Sequence, residues 1–291
     1  MVVHPRVPEE LRNRVFRGST VVQRGLLTSD ELRGPAWTAL FRDVYVAADL
    51  PVTHALRARA AAAVLRPGAV VTGRSAGVLW GVDLAAAGDD VELALPPDAH
   101  PMRVPGVRAR RLQLDPRHVS RRRGVLVTDP EATAVDVAGT LPLDDAVVAV
   151  DQLTVSGPAD LSRVRALAET GTGRNCRRAR TACSLADGRA ESPQETRIRL
   201  ILLRSGLPAP IAQFEVPRVG RRPLRLDFAW PGHRIALEYD GLWHGEPGQL
   251  SKDRRRLNEL GDAGWRVVFA TAVDVHRPAE PISRLSMLLL G

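Results

Sequence analysis

Three carboxylates sit inside what otherwise reads as an apolar β-hairpin. Residues 224–244 run Leu-Arg-Leu-Asp-Phe-Ala-Trp-Pro-Gly-His-Arg-Ile-Ala-Leu-Glu-Tyr-Asp-Gly-Leu-Trp-His, two strand-like runs about the turn signal Pro231-Gly232-His233. A two-residue loop at 232–233 or a four-residue loop at 231–234 sets Asp227 opposite Glu238; a three-residue loop shifts the pairing by one. Opposed residues share a face with Cβ atoms about 4.5–5.5 Å apart. Asp240, two residues beyond Glu238, shares that face too. A solvated strand face with chance acids would explain the acids blandly, but the flanking Leu, Phe, Ile and Ala indicate a largely buried hairpin. Buried carboxylates are costly unless compensated. A divalent cation with oxygen ligands relieves the repulsion of three converging acids.

A fourth acid lies upstream. Ser192 fits an N-cap, Pro193 the first helical position and Gly206 the left-handed C-terminal stop of a helix over 192–206. Glu195 falls at the third helical position, where a capping box places its acid. Capping and a role in chemistry are compatible there. Downstream, residues 250–260 read as an amphipathic helix with leucines inward and Lys252, Arg254, Arg255 and Arg256 outward. Gly264 ends it, residues 265–272 read as a buried strand, and 281–290 as a closing apolar helix. The order from Ser192 is helix, strand, strand, helix, strand, helix, an α/β layout on a central sheet.

Residues from about 191 to the end resemble the DUF559 family of very-short-patch-repair-like proteins. These belong to the PD-(D/E)XK, restriction-endonuclease-like nucleases. The residues that carry the likeness are Ser192-Pro-Gln-Glu195, Leu226-Asp227-Phe, Leu237-Glu238-Tyr-Asp240-Gly241, His244, Asp253-Arg254 and Gly264-Trp265-Arg-Val. The resemblance implies Asp227 and Glu238 as ligands of Mg²⁺ or Mn²⁺, the carbonyl of Tyr239 as a further ligand, and Glu195 as the helix-borne acid. It also implies phosphodiester hydrolysis in DNA. The superfamily motif ends in Lys two residues after the second acid; here that position is Asp240, and the chain's single lysine is Lys252. Asp240 is then a third ligand or a base, and His244 a base or the acid that protonates the leaving oxygen. Lys252, Arg254, Arg255 and Arg256 would contact the DNA backbone; a plain solvated helix face explains them equally.

The N-terminal half has a different pattern. Residues 8–18 read as a helix, Thr28-Ser-Asp-Glu31 as the capped start of a second, 37–40 as a third, and 40–47 as an alternating strand. Helices followed by a β-wing suggest a winged helix-turn-helix. A helix over 54–65, the run 70–81, and strands near 91–95 and 107–114 follow. This stretch resembles the AbiEi-type antitoxin arrangement, often fused to the nuclease-like unit in actinobacterial proteins, on residues 40–46, His54-Ala-Leu-Arg57 and Thr72-Gly-Arg-Ser-Ala76. The resemblance implies DNA binding. Residues 128–136 read as a capped helix on which Asp136 is structural.

The predicted fold class is therefore α/β (α+β) and multidomain: a winged helix-turn-helix and mixed middle region, then a restriction-endonuclease-like core with a central mixed sheet. The expected divisions are 1–52, 53–143, a helical linker at 144–188, and 189–291. The 41 Lys and Arg against 33 Asp and Glu, net +8, favour a polyanionic partner. Because that charge is nearly all Arg in an Ala-, Gly- and Pro-rich chain, base composition of the gene explains it as well. No apolar run reaches membrane-spanning length, and no signal-peptide pattern opens the chain. Cys176 and Cys183, with no CxxC spacing, read as free thiols of a cytoplasmic protein. The expected partner is DNA and not a membrane; a toxin or defence-system partner and a homodimer stay open. Three readings compete: a metal-dependent DNA endonuclease, a DNA-binding regulator or antitoxin whose nuclease-like domain is inactive or structural, and a protein-interaction scaffold of a defence locus.

Overall fold

The computed structural model describes residues 7–155, 157–218, 220–241 and 249–291, without the side chains of 249–253. The fold is α+β and multidomain, with three sheets. In the first region, β1 (Phe16–Arg17), α1 (Gly18–Gln23) and α2 (Ser29–Leu32) precede β2 (Trp37–Phe41) and β3 (Val44–Ala47). The sheet order is β1-β3-β2, antiparallel. The Thr28–Glu31 capping box forms as the spacing requires. Two expectations change. Residues 8–18 are not one helix but a 3₁₀ turn at Glu9–Leu11 followed by β1, because Phe16 pairs with Tyr45 and packs edge-on against Trp37. Residues 37–40 form a strand rather than a helix, since Trp37, Leu40 and Phe41 are buried as part of the β2–β3 ribbon.

The middle region contains α3 (His54–Ala60), continued by a π-turn at Ala61–Leu65, then β4 (Val70–Val71), α4 (Gly73–Trp80), β5 (Val91–Leu95), β6 (Val107–Arg111), β7 (Val119–Arg122) and β8 (Val125–Thr128). They make a mixed sheet in the order β6-β5-β4-β8-β7. Helices α5 (Pro130–Thr140), α6 (Leu143–Val155), α7 (Leu161–Thr170) and α8 (Cys176–Leu185) then bury a small-residue core of Ala138, Val147, Val150, Leu153, Val164 and Ala182. Asp136 on α5 accepts hydrogen bonds from Thr72 (2.8 Å) and Arg110 (2.5 Å).

The last region is α9 (Pro193–Arg204), β9 (Ile211–Val216), β10 (Leu224–Trp230), a 3₁₀ turn at Pro231–His233, β11 (Ile235–Tyr239), α10 (Gln249–Asp262), β12 (Arg266–Ala270), α11 (Ala272–His276) and α12 (Ala279–Leu290). Strand β9 was not anticipated from the sequence. Gly206 and Gly264 take the left-handed backbone expected of helix stops. The sheet order is β12-β11-β10-β9, mixed, with β11 and β12 parallel and the other pairs antiparallel.

One face of this sheet packs Phe228, Trp230, Ile235 and Leu237 on Ile198 and Leu202 of α9 and Leu285 and Leu289 of α12. The other packs Val216, Leu224, Leu226, Ala229 and Ala236 on Leu260 of α10. Each large side chain buried this way contributes about 1.5–3 kcal/mol. Among the described residues, no helix is long and apolar enough to cross a membrane.

Candidate acidic site of the C-terminal sheet

The turn between β10 and β11 has the four-residue length that preserves the expected register. Trp230 pairs with Ile235, Ala229 with Ala236 and Phe228 with Leu237. Carried one residue further, this register sets Asp227 against Glu238. The pleat, however, breaks there. Side chains two apart on a strand share a face, yet Leu226 lies in the α10-side core and Phe228 in the α9-side core. In β9 the neighbouring pair behaves alike, with Phe214 on the α10 side and Ala212 on the α9 side. Leu226 pairs with Phe214 and Phe228 with Ala212, so both strands change face at the level of Asp227 and Gln213. Gln213 accommodates the step with φ +53°, a left-handed conformation that costs a non-glycine residue about 1–3 kcal/mol.

The polar groups gather around this step. Glu195 is buried at the start of α9; its Oε2 accepts from the backbone N–H of Glu191 (2.9 Å) and from Gln213 Nε2 (3.0 Å). The Ser192 hydroxyl accepts from the Glu195 N–H (3.2 Å), so the cap forms, with the return bond made to Glu191. Asp227 Oδ2 accepts from the Tyr239 N–H at 2.9 Å. Tyr239 thus turns its amide toward Asp227, where the resemblance implied a ligating carbonyl.

Burial is the largest influence on both acids and raises their pKa values above the ordinary carboxylate range. At Glu195 the Asp227 charge adds to the rise, while Ser192 and the Glu191 amide oppose it. At Asp227 the Tyr239 amide and the Arg256 and Arg225 charges oppose it.

Glu238 is also buried, but it is held by a cation. Arg256 of α10 grips it bidentately, Nη1 to Oε2 at 2.5 Å and Nη2 to Oε1 at 2.6 Å, and also donates to the Arg225 carbonyl at 2.6 Å. Asp240 is exposed just past β11, its N–H donating to the Ala270 carbonyl at 2.7 Å. Arg254 and Arg255 are exposed on α10. His244 and the side chain of Lys252 lie outside the described residues. Among the described residues, no three His, Cys, Asp or Glu side chains group as a metal-binding cluster. The three hairpin acids therefore do not converge on one spot, because Glu238 follows the pleat toward α10 and Arg256 while Asp240 leaves the strand.

Two sets of residues here escaped the sequence reading. Gln213 Oε1 is buried and finds no hydrogen-bond partner among the described residues, beside Glu195 and next in register to Asp227. A glutamine within the strand-like run 211–216 was the available signal. Arg218, Arg221 and Arg222, in the turn between β9 and β10, extend the basic surface of α10. Glu259 of that helix pairs with Arg218 and, at 3.1 Å, with Arg221. Glu195, Asp227 and the orphaned amide oxygen are hard oxygen donors, the class that Mg²⁺ and Mn²⁺ take. The residues fit such a cation, whereas Glu238 is engaged by Arg256.

No family model matches the chain. It is 36% identical over 166 residues to uncharacterized protein Rv2248 of Mycobacterium tuberculosis strain ATCC 25618 / H37Rv, a match covering 56% of this chain and 61% of that protein. Uncharacterized protein MT2308 of strain CDC 1551 / Oshkosh matches over the same span. The alignment thus covers less than two thirds of these relatives' own length. Among solved structures, the crystal structure of Rv2827c protein from Mycobacterium tuberculosis aligns with TM-score 0.39 and 17% identity over 71% of this chain and 82% of that one. At that level it bears on neither fold nor function.

Proposed function

We propose that the C-terminal region is a metal-dependent endonuclease that hydrolyses phosphodiester bonds in DNA, and that the N-terminal region directs it to DNA. The observation that carries this reading is the pleat step. It holds a buried carboxylate, Glu195, and a half-buried one, Asp227, beside an amide oxygen without a partner among the described residues, on a strained strand. Strain and under-satisfied acids mark a site built for something other than stability. Bound there, Mg²⁺ or Mn²⁺ would lower the pKa of a water and stabilise charge on the scissile phosphate. Asp227 and Glu195, with Glu238 once freed, would hold it. Tyr239 fixes the Asp227 carboxylate through its amide, and Gln213 fixes Glu195. The exposed Arg254 and Arg255, with Arg222 and the Glu259-pinned Arg218 and Arg221, would contact backbone phosphates. The base is assigned to Asp240 or His244.

One observation favours the second reading, a DNA-binding regulator of the antitoxin type with an inactive nuclease-like domain: the bidentate Glu238–Arg256 pair neutralises the second acid of the motif. Purified protein is to be incubated with supercoiled and linear DNA in Mg²⁺, Mn²⁺ or EDTA, beside Asp227→Ala. The nuclease reading expects metal-dependent cleavage that falls in the variant by more than the roughly 10–100-fold lost when an outer-sphere partner of a metal site is removed. Tight duplex binding with no cleavage by the unaltered protein would establish the second reading instead.

A further inference from the structure

Resting on the nuclease reading, we infer that Arg256 is an exchangeable internal counter-ion, which a DNA phosphate draws off Glu238 so that DNA binding completes the cation site. The Glu238 side chain is 8% exposed and that of Arg256 34%, so the pair joins a buried acid to a cation that reaches solvent. Arg254 and Arg255 are exposed on the same helix, and Arg225, whose carbonyl Arg256 also holds, is an exposed cation paired with Glu191. A phosphate attracted to that surface meets a guanidinium already displayed as a two-pronged donor. The guanidinium fork matches phosphate as well as carboxylate, so the exchange preserves its hydrogen bonds.

The acid left behind cannot make the same exchange. Glu238 would become a buried carboxylate deprived of the Arg256 charge, near Asp227, which already feels that charge. Such a group is strongly disfavoured unless another cation replaces the first. A divalent ion with oxygen ligands meets that need and draws in Asp227 and Glu195 as well. Arg256 therefore holds the acid site closed to cations without DNA and opens it when DNA arrives. Reciprocity requires the cation to tighten DNA binding by the same factor.

The test uses the full chain and Mn²⁺ read by electron paramagnetic resonance, with and without a short duplex of phosphorothioate linkages that resists hydrolysis. Mn²⁺ taken up by the duplex alone is subtracted. Unaltered protein is expected to bind Mn²⁺ roughly tenfold more tightly with duplex, within the ~5–150-fold range usual for coupled sites. Duplex anisotropy titrations should show the same factor on adding Mn²⁺. Arg256→Ala is expected to bind Mn²⁺ without duplex about as tightly as unaltered protein does with it. Equal Mn²⁺ affinity of the unaltered protein with and without duplex overturns the exchange and leaves the nuclease reading standing. That comparison needs no variant to fold. Absence of protein-bound Mn²⁺ in every arm removes the cation site itself, and this inference with it.

Discussion

Helix α9 presents two buried acid sites on opposite sides, and they are built in opposite ways. Toward the helical core, Asp151 of α6 is fully buried and saturated. Its Oδ1 accepts from the amides of Asp187 (2.9 Å) and Gly188 (3.0 Å), and its Oδ2 from the Thr196 hydroxyl (2.9 Å) and Arg199 Nη2 (2.8 Å). Arg199 Nε lies a further 3.2 Å from Asp187 Oδ2, in ion-pair range although misdirected for a hydrogen bond. One residue before Thr196, on the sheet side, Glu195 has two donors on one oxygen, and Asp227 beyond it has one, among the described residues. The first site has as many donors as a carboxylate can use; the second is short of them. Saturation marks a carboxylate that holds elements together, and shortage marks one reserved for something that arrives later.

The contrast breaks most visibly at Asp151. Asp151→Ala leaves the buried Arg199 guanidinium without its principal carboxylate partner, two amides and a hydroxyl without an acceptor, and a cavity. Removing one member of a buried pair costs about 3–5 kcal/mol. The loss should appear as a large drop in the urea midpoint, and an unchanged midpoint would show that the knot is not structural. Asp227→Asn should behave in the opposite sense. Burial holds the Asp227 pKa above its unfolded value. Stability from its protonated form is full below the unfolded pKa, about pH 4, and is lost as pH rises through the folded pKa. Asparagine never ionises and escapes that loss. In EDTA at pH 7 the variant should therefore keep or raise the midpoint, with the advantage fading below about pH 4. A fall as large as that of Asp151→Ala would make Asp227 a structural acid.

Much of the hairpin was legible from spacing alone. The turn signal Pro231-Gly232-His233 left the loop length open, and the observed pairing of Phe228 with Leu237 is the register that its two- or four-residue alternatives gave. The cap at Ser192 and the helix stops at Gly206 and Gly264 follow from local backbone chemistry in the same way. What spacing could not show was the fate of each acid, which tertiary neighbours decide. Strict alternation puts Asp227 and Glu238 on one face, but the strand steps across its own plane at Asp227. That step depends on Gln213 taking a left-handed backbone in a strand the sequence reading did not identify. Arg256, read as one of several outward cations on an amphipathic helix, folds back onto Glu238. The misread N-terminal helices have a like cause: Phe16 and Trp37 fit a helix by local pattern, but Phe16 packs on Trp37 and Tyr45, and Trp37 pairs with Ala47, so both lie in strands.

The smallest effect sharpens the comparison on a single helix. Asp144, two turns before Asp151 on α6, also pairs with an α9 arginine. Arg204 donates to it at 2.8 and 2.5 Å, but the two side chains are 45% and 51% exposed. The Arg204 guanidinium holds the Asp144 carboxyl below its ordinary range against an opposing effect of burial. A depressed carboxyl contributes stability above its unfolded pKa and loses it as pH falls through the folded one. Water screens the pair, so Asp144→Asn should cost at most about 1 kcal/mol at pH 7. The cost should shrink in high salt and vanish well below pH 4. Urea midpoints of the unaltered and variant proteins at pH 7 and about pH 3 measure both slopes. Because Asp144 and Asp151 each pair with an α9 arginine but differ in burial and in their further donors, a cost at Asp144 matching that at Asp151 would mean that the arginine, and not saturation, sets the strength of the α6–α9 joint.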